Sequence, residues 1–458
     1  MFSMIKRRQF LSSATAVSAG FFGLHDFLAN SATAAPTTSG YGPPRKDPDG
    51  ILDLPNGFRY SVISRAGDTM SDALKVPEKA DGMGAFAGPN GSVILLRNHE
   101  IDPGQGPKHQ TRDVLSLPAS KVYDRGFGRA PALGGVTTVI VDKSHHKVIR
   151  QHMSLTGTVH NCAGGSTPWG SWISCEESVA RAGSALEKDH GYCFEVPATN
   201  NGVVDPMPIK TMGRFNHEAI AFHPPSGVIY LTEDRHDGLI YRYLPREYGN
   251  LLAGGKLQAL AILDRAESTD TRNWKETKRP ALPVREQFAV RWVDVPNVEA
   301  PADDLRLRGA AQHGAAVFAR GEGIFYGNDA IYWACTNGGH KKAGQIFRYV
   351  PSPDEGKAGE SKQPGKLELF VEPNDTKILK NADNLCVSPW GDLIVCEDSK
   401  KPNCLIGITP VGECYTFARV SKGGSEFAGS IFSPDGRTLF VNIQNQGLTL
   451  AISGPWSA

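Results

Sequence analysis

One short pattern recurs six times along this chain, and it dictates an architecture built from repeated strands. Each copy has a Pro-x-Gly or Gly-Asn turn, four or five apolar residues, and a carboxylate or amide where the strand should end. The copies read GPNGSVILLRNHE from Gly88, TPWGSWISCEE from Thr167, HPPSGVIYLTED from His223, YGNDAIYWACTNGG from Tyr326, SPWGDLIVCED from Ser388 and SPDGRTLFVNIQ from Ser433. Pro presets one backbone angle and Gly accepts positive φ, so each turn launches a strand of β-branched and aromatic residues. The turn glycines Gly91, Gly170, Gly227, Gly327, Gly391 and Gly436 are spaced by 79, 57, 100, 64 and 45 residues. The smallest spacing fits one four-stranded propeller blade of roughly 40 to 50 residues, and the larger ones need insertions. The pattern predicts an all-β chain, a six-bladed β-propeller with loop and helical insertions, as one catalytic domain over residues 36–458.

In three copies the turn glycine is followed six and seven residues later by two carboxylates: Glu176 and Glu177, Glu233 and Asp234, Glu397 and Asp398. If equivalent strands point at one axis, these side chains converge there, joined by Glu100 in NHE and Glu218 in FNHE. Clustered carboxylates need a cation to sit together, which predicts a central hard-cation site. The competing reading is a set of solvated acidic strand ends that discourage sheet-to-sheet pairing.

The bulk composition excludes several classes. A net charge of +1 over 458 residues gives no electrostatic case for nucleic acid or an anionic membrane surface. With 50 glycines and 31 prolines the chain is turn-rich, and 40% apolar residues suffice for a core. Residues 1–35 read as a twin-arginine export signal: Lys6, Arg7, Arg8, Gln9, Phe10 and Leu11, then an apolar stretch to Leu28 and small residues at Ala32–Ala34. The expectation is a monomer exported folded by the twin-arginine machinery to the periplasm or beyond, with no stable membrane anchor. Eight cysteines would allow four bridges there. Cys175, Cys335 and Cys396 hold nearly one place in their strand copies and read as buried fillers, while Cys404 and Cys414 suit a hairpin bridge.

Cys162, in HNCAGGSTPWGSWISCEE, lies just upstream of the most acidic strand copy. A thiolate among hard oxygens suits a transition metal rather than calcium alone, and a buried structural thiol is the alternative. His160 beside it reads as a loop histidine. In YLTEDR, Arg235 follows the acidic pair, and in ARGEGI, Arg320 precedes Glu322 by two residues, which puts both on one side of a strand. Such guanidinium groups either neutralise carboxylates or hold an anionic substrate in a bidentate manner. NADNLCVSPWGDLIVCED adds Asp383 and Asn384, oxygen ligands of a kind calcium accepts. The chain has no G-x-S-x-G elbow, no P-loop and no G-x-G-x-x-G behind a strand, which argues against serine hydrolase and nucleotide chemistry.

Taken in order from Asn98 to Gln444, NHE, HNCAGG with TPWGSWISCEE, GRFNHE, YLTEDR, RGEG, ADNL with SPWGDLIVCED, and FAGSIFSPDGRTLFVNIQ resemble the PhoX family of exported alkaline phosphatases. The chain is shorter than the long members of that family. The resemblance implies a six-bladed propeller whose axis holds two ferric and three calcium ions with a bridging oxo group, and a small-molecule phosphomonoester as substrate. It implies Cys162 as an iron ligand, Glu100, Glu176, Glu177, Glu218, Glu233, Asp234, Glu322, Asp383 and Glu397 as metal ligands, and Arg320 as the phosphate-binding residue. A calcium-dependent lactonase and a non-enzymatic exported propeller with structural calcium are the rival readings. A lactonase has no use for a cysteine ligand.

Overall fold

Residues 40–263, 265, 269–277, 280–399 and 402–457 are described by the computed structural model. The expected export signal, residues 1–35, lies outside the described residues. In chain order the strands are β1 (Leu52–Asp53), β2 (Arg59–Arg65), β3 (Ala80–Ala87), β4 (Val93–His99), β5 (Gly134–Val141), β6 (Val148–Thr158), β7 (Asn161–Ser166), β8 (Ser171–Glu176) and β9 (Cys193–Pro197). They continue with β10 (His217–His223), β11 (Val228–Glu233), β12 (Ile240–Pro245), β13 (Gly255–Ile262), β14 (Gln287–Asp294), β15 (Gly321–Gly327), β16 (Ala330–Cys335), β17 (Gln345–Val350) and β18 (Lys366–Val371). The last are β19 (Ala382–Val387), β20 (Leu393–Glu397), β21 (Cys404–Ile408), β22 (Cys414–Val420), β23 (Phe427–Phe432), β24 (Thr438–Ile443) and β25 (Leu448–Ser453). Two α-helices stand among the described residues, α1 (Lys108–Ser116) and α2 (Leu305–His313).

The apolar run of each sequence copy is the second strand of a hairpin: β4, β8, β11, β16, β20 and β24. Every residue of these six strands is buried. Sheets that cover them on both faces explain why the runs are continuously apolar rather than alternating. Five of the turn glycines are left-handed, with φ between 72° and 98°. In the fourth copy Gly327 is not; Asn328 (φ 51°) and Asp329 (φ 55°) take the positive angles there, as a two-residue hairpin turn requires.

The result is an all-β, β-propeller-like arrangement. Hairpin-opening strands β3, β7, β10, β15, β19 and β23 adjoin one another in that order around a ring, with β23 returning to β3. Hydrogen bonding nonetheless gives five sheets where six were expected: β3-β4-β5-β6, β7-β8-β9, β2-β25-β24-β23, β1-β22-β21-β20-β19, and the nine-stranded β10-β11-β12-β13-β14-β18-β17-β16-β15. The difference arises at β14, which pairs with β13 through Val290–Asp294 and with β18 through Gln287–Ala289, so that one insertion strand fuses two groups. Cys404 and Cys414 sit at opposite ends of the β21–β22 hairpin, in register with Arg419 and Ile408, and are not bonded to each other. Cys175, Cys335 and Cys396 are buried.

Strand β2 pairs with β25, so the first and last parts of the described chain share one sheet. Beside that seam the Tyr41 ring meets Phe58, Phe417 and Trp456 edge-on at 5.0, 5.7 and 6.0 Å. We expect Trp456→Ala to lower unfolding free energy by about 2 kcal/mol, below the range for fully buried aromatics because Trp456 is half-buried. Urea unfolding of the purified protein checks this.

Candidate metal centre

Each ring strand opens the same way. In all six hairpins the register slips near the start of the ring strand: Ala80/Met83, Asn161/Gly164, His217/Ile220, Gly321/Ile324, Ala382/Leu385 and Ala428/Ile431. A bulge bends the strand and re-aims the side chain it carries. The second residue of each ring strand is Asp81, Cys162, Glu218, Glu322 and Asp383, with Ala428 in the sixth. One backbone hydrogen bond closes every hairpin beside the bulge. The N–H groups of Glu100, Glu177, Asp234, Thr336, Asp398 and Gln444 donate to the carbonyls of Lys79, His160, Asn216, Arg320, Asn381 and Glu426, respectively.

These repeated joints gather acidic side chains from distant parts of the chain. Ligand atoms lie within 4.8 Å of one another in three groups: Glu100, Cys162 and Glu177; Glu218, Glu322 and Asp383; and Asp383, Asp398 and Glu426. Cys162 Sγ is also 3.8 Å from Asp81 Oδ1. Burial, together with mutual repulsion, pushes the carboxyls of Asp81, Glu218, Glu322 and Asp383 well above the usual range. Both oxygens of Glu218 are buried without a hydrogen-bond partner. A carboxylate kept that way is stable only protonated or beside a cation, so the donor set fits multivalent ions. Burial and the charges of Asp81, Glu218, Glu100 and Glu177 likewise raise the Cys162 thiol. A soft sulfur beside hard oxygens fits a transition metal next to calcium-type ligands.

Adjacent carboxylates in the sequence pairs part company, because successive strand residues face opposite ways. Glu176 turns into its own blade: Oε1 accepts from Val159 N–H at 2.9 Å and contacts His190 Nδ1 at 2.6 Å, while Oε2 accepts from Gly191 N–H at 2.8 Å and Tyr192 N–H. Glu233 accepts from Leu239 N–H and the Tyr241 hydroxyl, and Glu397 from the N–H groups of Lys380 and Cys404. These three expected ligands thus hold backbone and side-chain donors within the fold, and Glu233 keeps one buried oxygen unpartnered. Their followers Glu177 and Asp398 join the groups above, and Asp234 receives both Nε (2.8 Å) and Nη2 (2.6 Å) of Arg320.

Basic side chains border the cluster. Arg320 Nη2 also approaches Glu322 at 2.9 Å, which leaves Nη1 without a partner among the described residues. Arg235 pairs instead with Asp303 at 3.0 Å. His160 is no bystander: Nδ1 meets Asp102 at 2.7 Å, and Nε2 meets Glu100 at 2.7 Å and Glu177 at 3.3 Å. Burial alone would lower its pKa, but Glu100 and Glu177 raise it to about 11. Lys79, His160, Arg320 and Asn381, equivalent residues just before four ring strands, all adopt left-handed backbone with φ between 49° and 54°. Such strain in non-glycine residues is concentrated at functional sites.

A family model described as alkaline phosphatase PhoX matches residues 39–447. The chain belongs to the PhoX family. No curated protein matches it. Among solved structures it is similar to a gluconolactonase from Xanthomonas campestris (11% identity, 91% of this chain and 99% of that one, TM-score 0.39). It is also similar to a virginiamycin B lyase from Staphylococcus aureus (12%, 86% and 99%, 0.35) and an auxiliary nutrient binding protein from Bacteroides ovatus (10%, 87% and 78%, 0.40). Likeness at this level carries no inference about activity. PhoX proteins are metal-dependent hydrolases, and acidic groups suited to metal are present in this member.

Asp81, Glu426 and Gln444 of this PhoX site carried no signal in the first repeat, and Asp398, expected at the axis with Glu397, was left out of the implied ligand set; Gln444 donates through Nε2 to Asp81 Oδ2 at 2.6 Å and to Glu100. The signal was available in a second repeat: KADG, HNCA, NHEA, RGEG, NADN and EFAG place an acidic or thiol residue third in five of six copies. The first repeat, built on turn glycines, led only to the second strand of each hairpin.

Three outcomes follow for metal-free PhoX protein. Glu176→Gln lowers stability by about 1–3 kcal/mol, since it turns an N–H donor toward buried N–H groups. Asp398→Asn does not lower it, because a repelling charge is removed; thermal melts in chelator compare the two. Burial and neighbouring carboxylates raise Glu177 to about 7 and Glu426 to about 9, so the folded state holds protons that the unfolded state releases near 4.5. Stability of the chelated protein therefore falls as pH rises from about 5 through 9, and added calcium flattens the decline in melts across that range.

Proposed function

We propose that this chain is a phosphomonoesterase: a six-bladed β-propeller over residues 36–458, exported folded by the twin-arginine route and acting as a monomer on small phosphoesters. Six equivalent bulged hairpins support the blade count, and Lys6–Leu11 support the route. The observation that carries the activity is Cys162 and the unpartnered Glu218 converging with eight further acidic residues at the ring's bulged end, in a chain of this family.

Glu100, Cys162 and Glu177 would hold Fe³⁺, the thiolate being the soft donor, and Glu218, Glu322, Asp383, Asp398 and Glu426 would hold Ca²⁺. Bound there, such ions supply Lewis-acid neutralisation of phosphoryl charge and an activated oxygen nucleophile. The chain's own residues do the positioning. Asp234 clamps Arg320 through two parallel hydrogen bonds, so the guanidinium plane is set before substrate arrives, and Nη1 has no partner among the described residues. Arg235 is tied to Asp303 at 3.0 Å, which offsets its charge, so Arg320 is the guanidinium offered to an anionic ester. His160 keeps Glu100 and Glu177 in place by bridging them and bracing its far nitrogen on Asp102.

The test uses p-nitrophenyl phosphate with the exported protein. Wild type hydrolyses it, Cys162→Ala loses activity by roughly a hundredfold or more, and Arg320→Ala lowers kcat/KM by about ten- to a thousandfold. Hydrolysis of gluconolactone but of no phosphoester, or full phosphatase activity in Cys162→Ala, would overturn the reading.

A further inference from the structure

The ring strands enclose a second space, away from the acidic cluster. Cluster residues occupy the second position of β3, β7, β10, β15 and β19, while later residues of these strands and of β23 line a cavity of about 330 Å³. Its wall includes Met83, Ile220, Phe222, Ile324, Leu385 and the Trp172 indole, and no lining residue is charged. The exposed residues Ser166, Pro168 and Pro224 border it, so solvent reaches it at the opposite end of the ring strands from Glu100 and Arg320. Size and apolar character match small-molecule pockets, which fix orientation with a few polar groups.

One such polar group is present. Asn384, expected from the sequence to be an oxygen ligand, lines this cavity and is 8% exposed. Its amide makes no hydrogen bond with any described residue. The amide is not among the buried side-chain atoms left without a partner, so it opens into the cavity, where it can bond a polar group of a bound molecule. No cationic side chain lines the cavity, so it offers an anion no counter-charge.

We propose that this axial cavity binds an uncharged, mainly apolar small molecule, an aromatic or alkyl body with one carbonyl or hydroxyl that bonds the Asn384 amide. An uncharged wall gives a phosphoester no partner for its charge, so the site stands apart from the proposed reaction centre and does not depend on that activity.

The test titrates metal-loaded protein with 6-propionyl-2-(dimethylamino)naphthalene, a neutral fluorophore with a single carbonyl acceptor. Expected are saturable one-to-one binding with blue-shifted emission, no displacement by saturating inorganic phosphate, and about tenfold weaker binding in Asn384→Leu and in Ala221→Met, which adds bulk at a wall position. Absence of saturable binding, displacement by phosphate, or unchanged affinity in both variants overturns the proposal. Loss of bound metal from Asn384→Leu with probe affinity kept also overturns it, because the amide then serves the cluster. Should Asn384→Leu not fold, Ala221→Met decides alone: weaker binding supports the site and unchanged affinity refutes it.

Discussion

Repulsion among buried carboxylates is the constraint around which the ring is arranged. Asp81, Glu218, Glu322 and the half-buried Asp383 come from four strands far apart in the chain, and burial removes much of the water that would otherwise screen them. No ordinary folding gain favours bringing them together. The arrangement is stable when they are protonated or when multivalent charge sits between them, which ties the inner ring to its ligands. Arg320 and His160 pair with Asp234, Glu322, Glu100 and Glu177, whereas both oxygens of Glu218 lack a hydrogen-bond partner among the described residues.

Backbone geometry, not side-chain choice alone, makes that convergence possible. A bulge near the start of every ring strand tips its second residue off the regular alternation, and the hydrogen bond closing each hairpin sets the following strand's end beside it. Close approach leaves little room for side chains at the next position. A Cβ at Gly82 would lie 2.5 Å from Ala163 Cα, and one at Gly323 2.7 Å from Asn384 Cα. The left-handed residues Lys79, His160, Arg320 and Asn381 belong to the same joint, so strain, close packing and charge are concentrated in one structural unit.

Much of this was legible in the sequence. The apolar runs mark the second strand of each hairpin because burial on both faces suppresses alternation, and Cys162, Glu100, Glu177, Glu218, Glu322 and Asp383 do converge. What was not legible depended on direction. Neighbours Glu176 and Glu177 look equivalent as letters, yet one binds backbone N–H groups within its blade and the other faces the axis. Asp398 was passed over for Glu397 for the same reason, and Asn384 lines the apolar cavity. The fusion of two strand groups through β14 rests on an insertion whose pairing no turn signal announces.

The claim that multivalent ions hold this charge together is tested most directly by elemental analysis of the protein purified, without chelator, from the compartment to which it is exported. The account predicts iron and calcium in stoichiometric amounts with the chain. A folded protein that contains neither, or calcium with no transition metal, would contradict it.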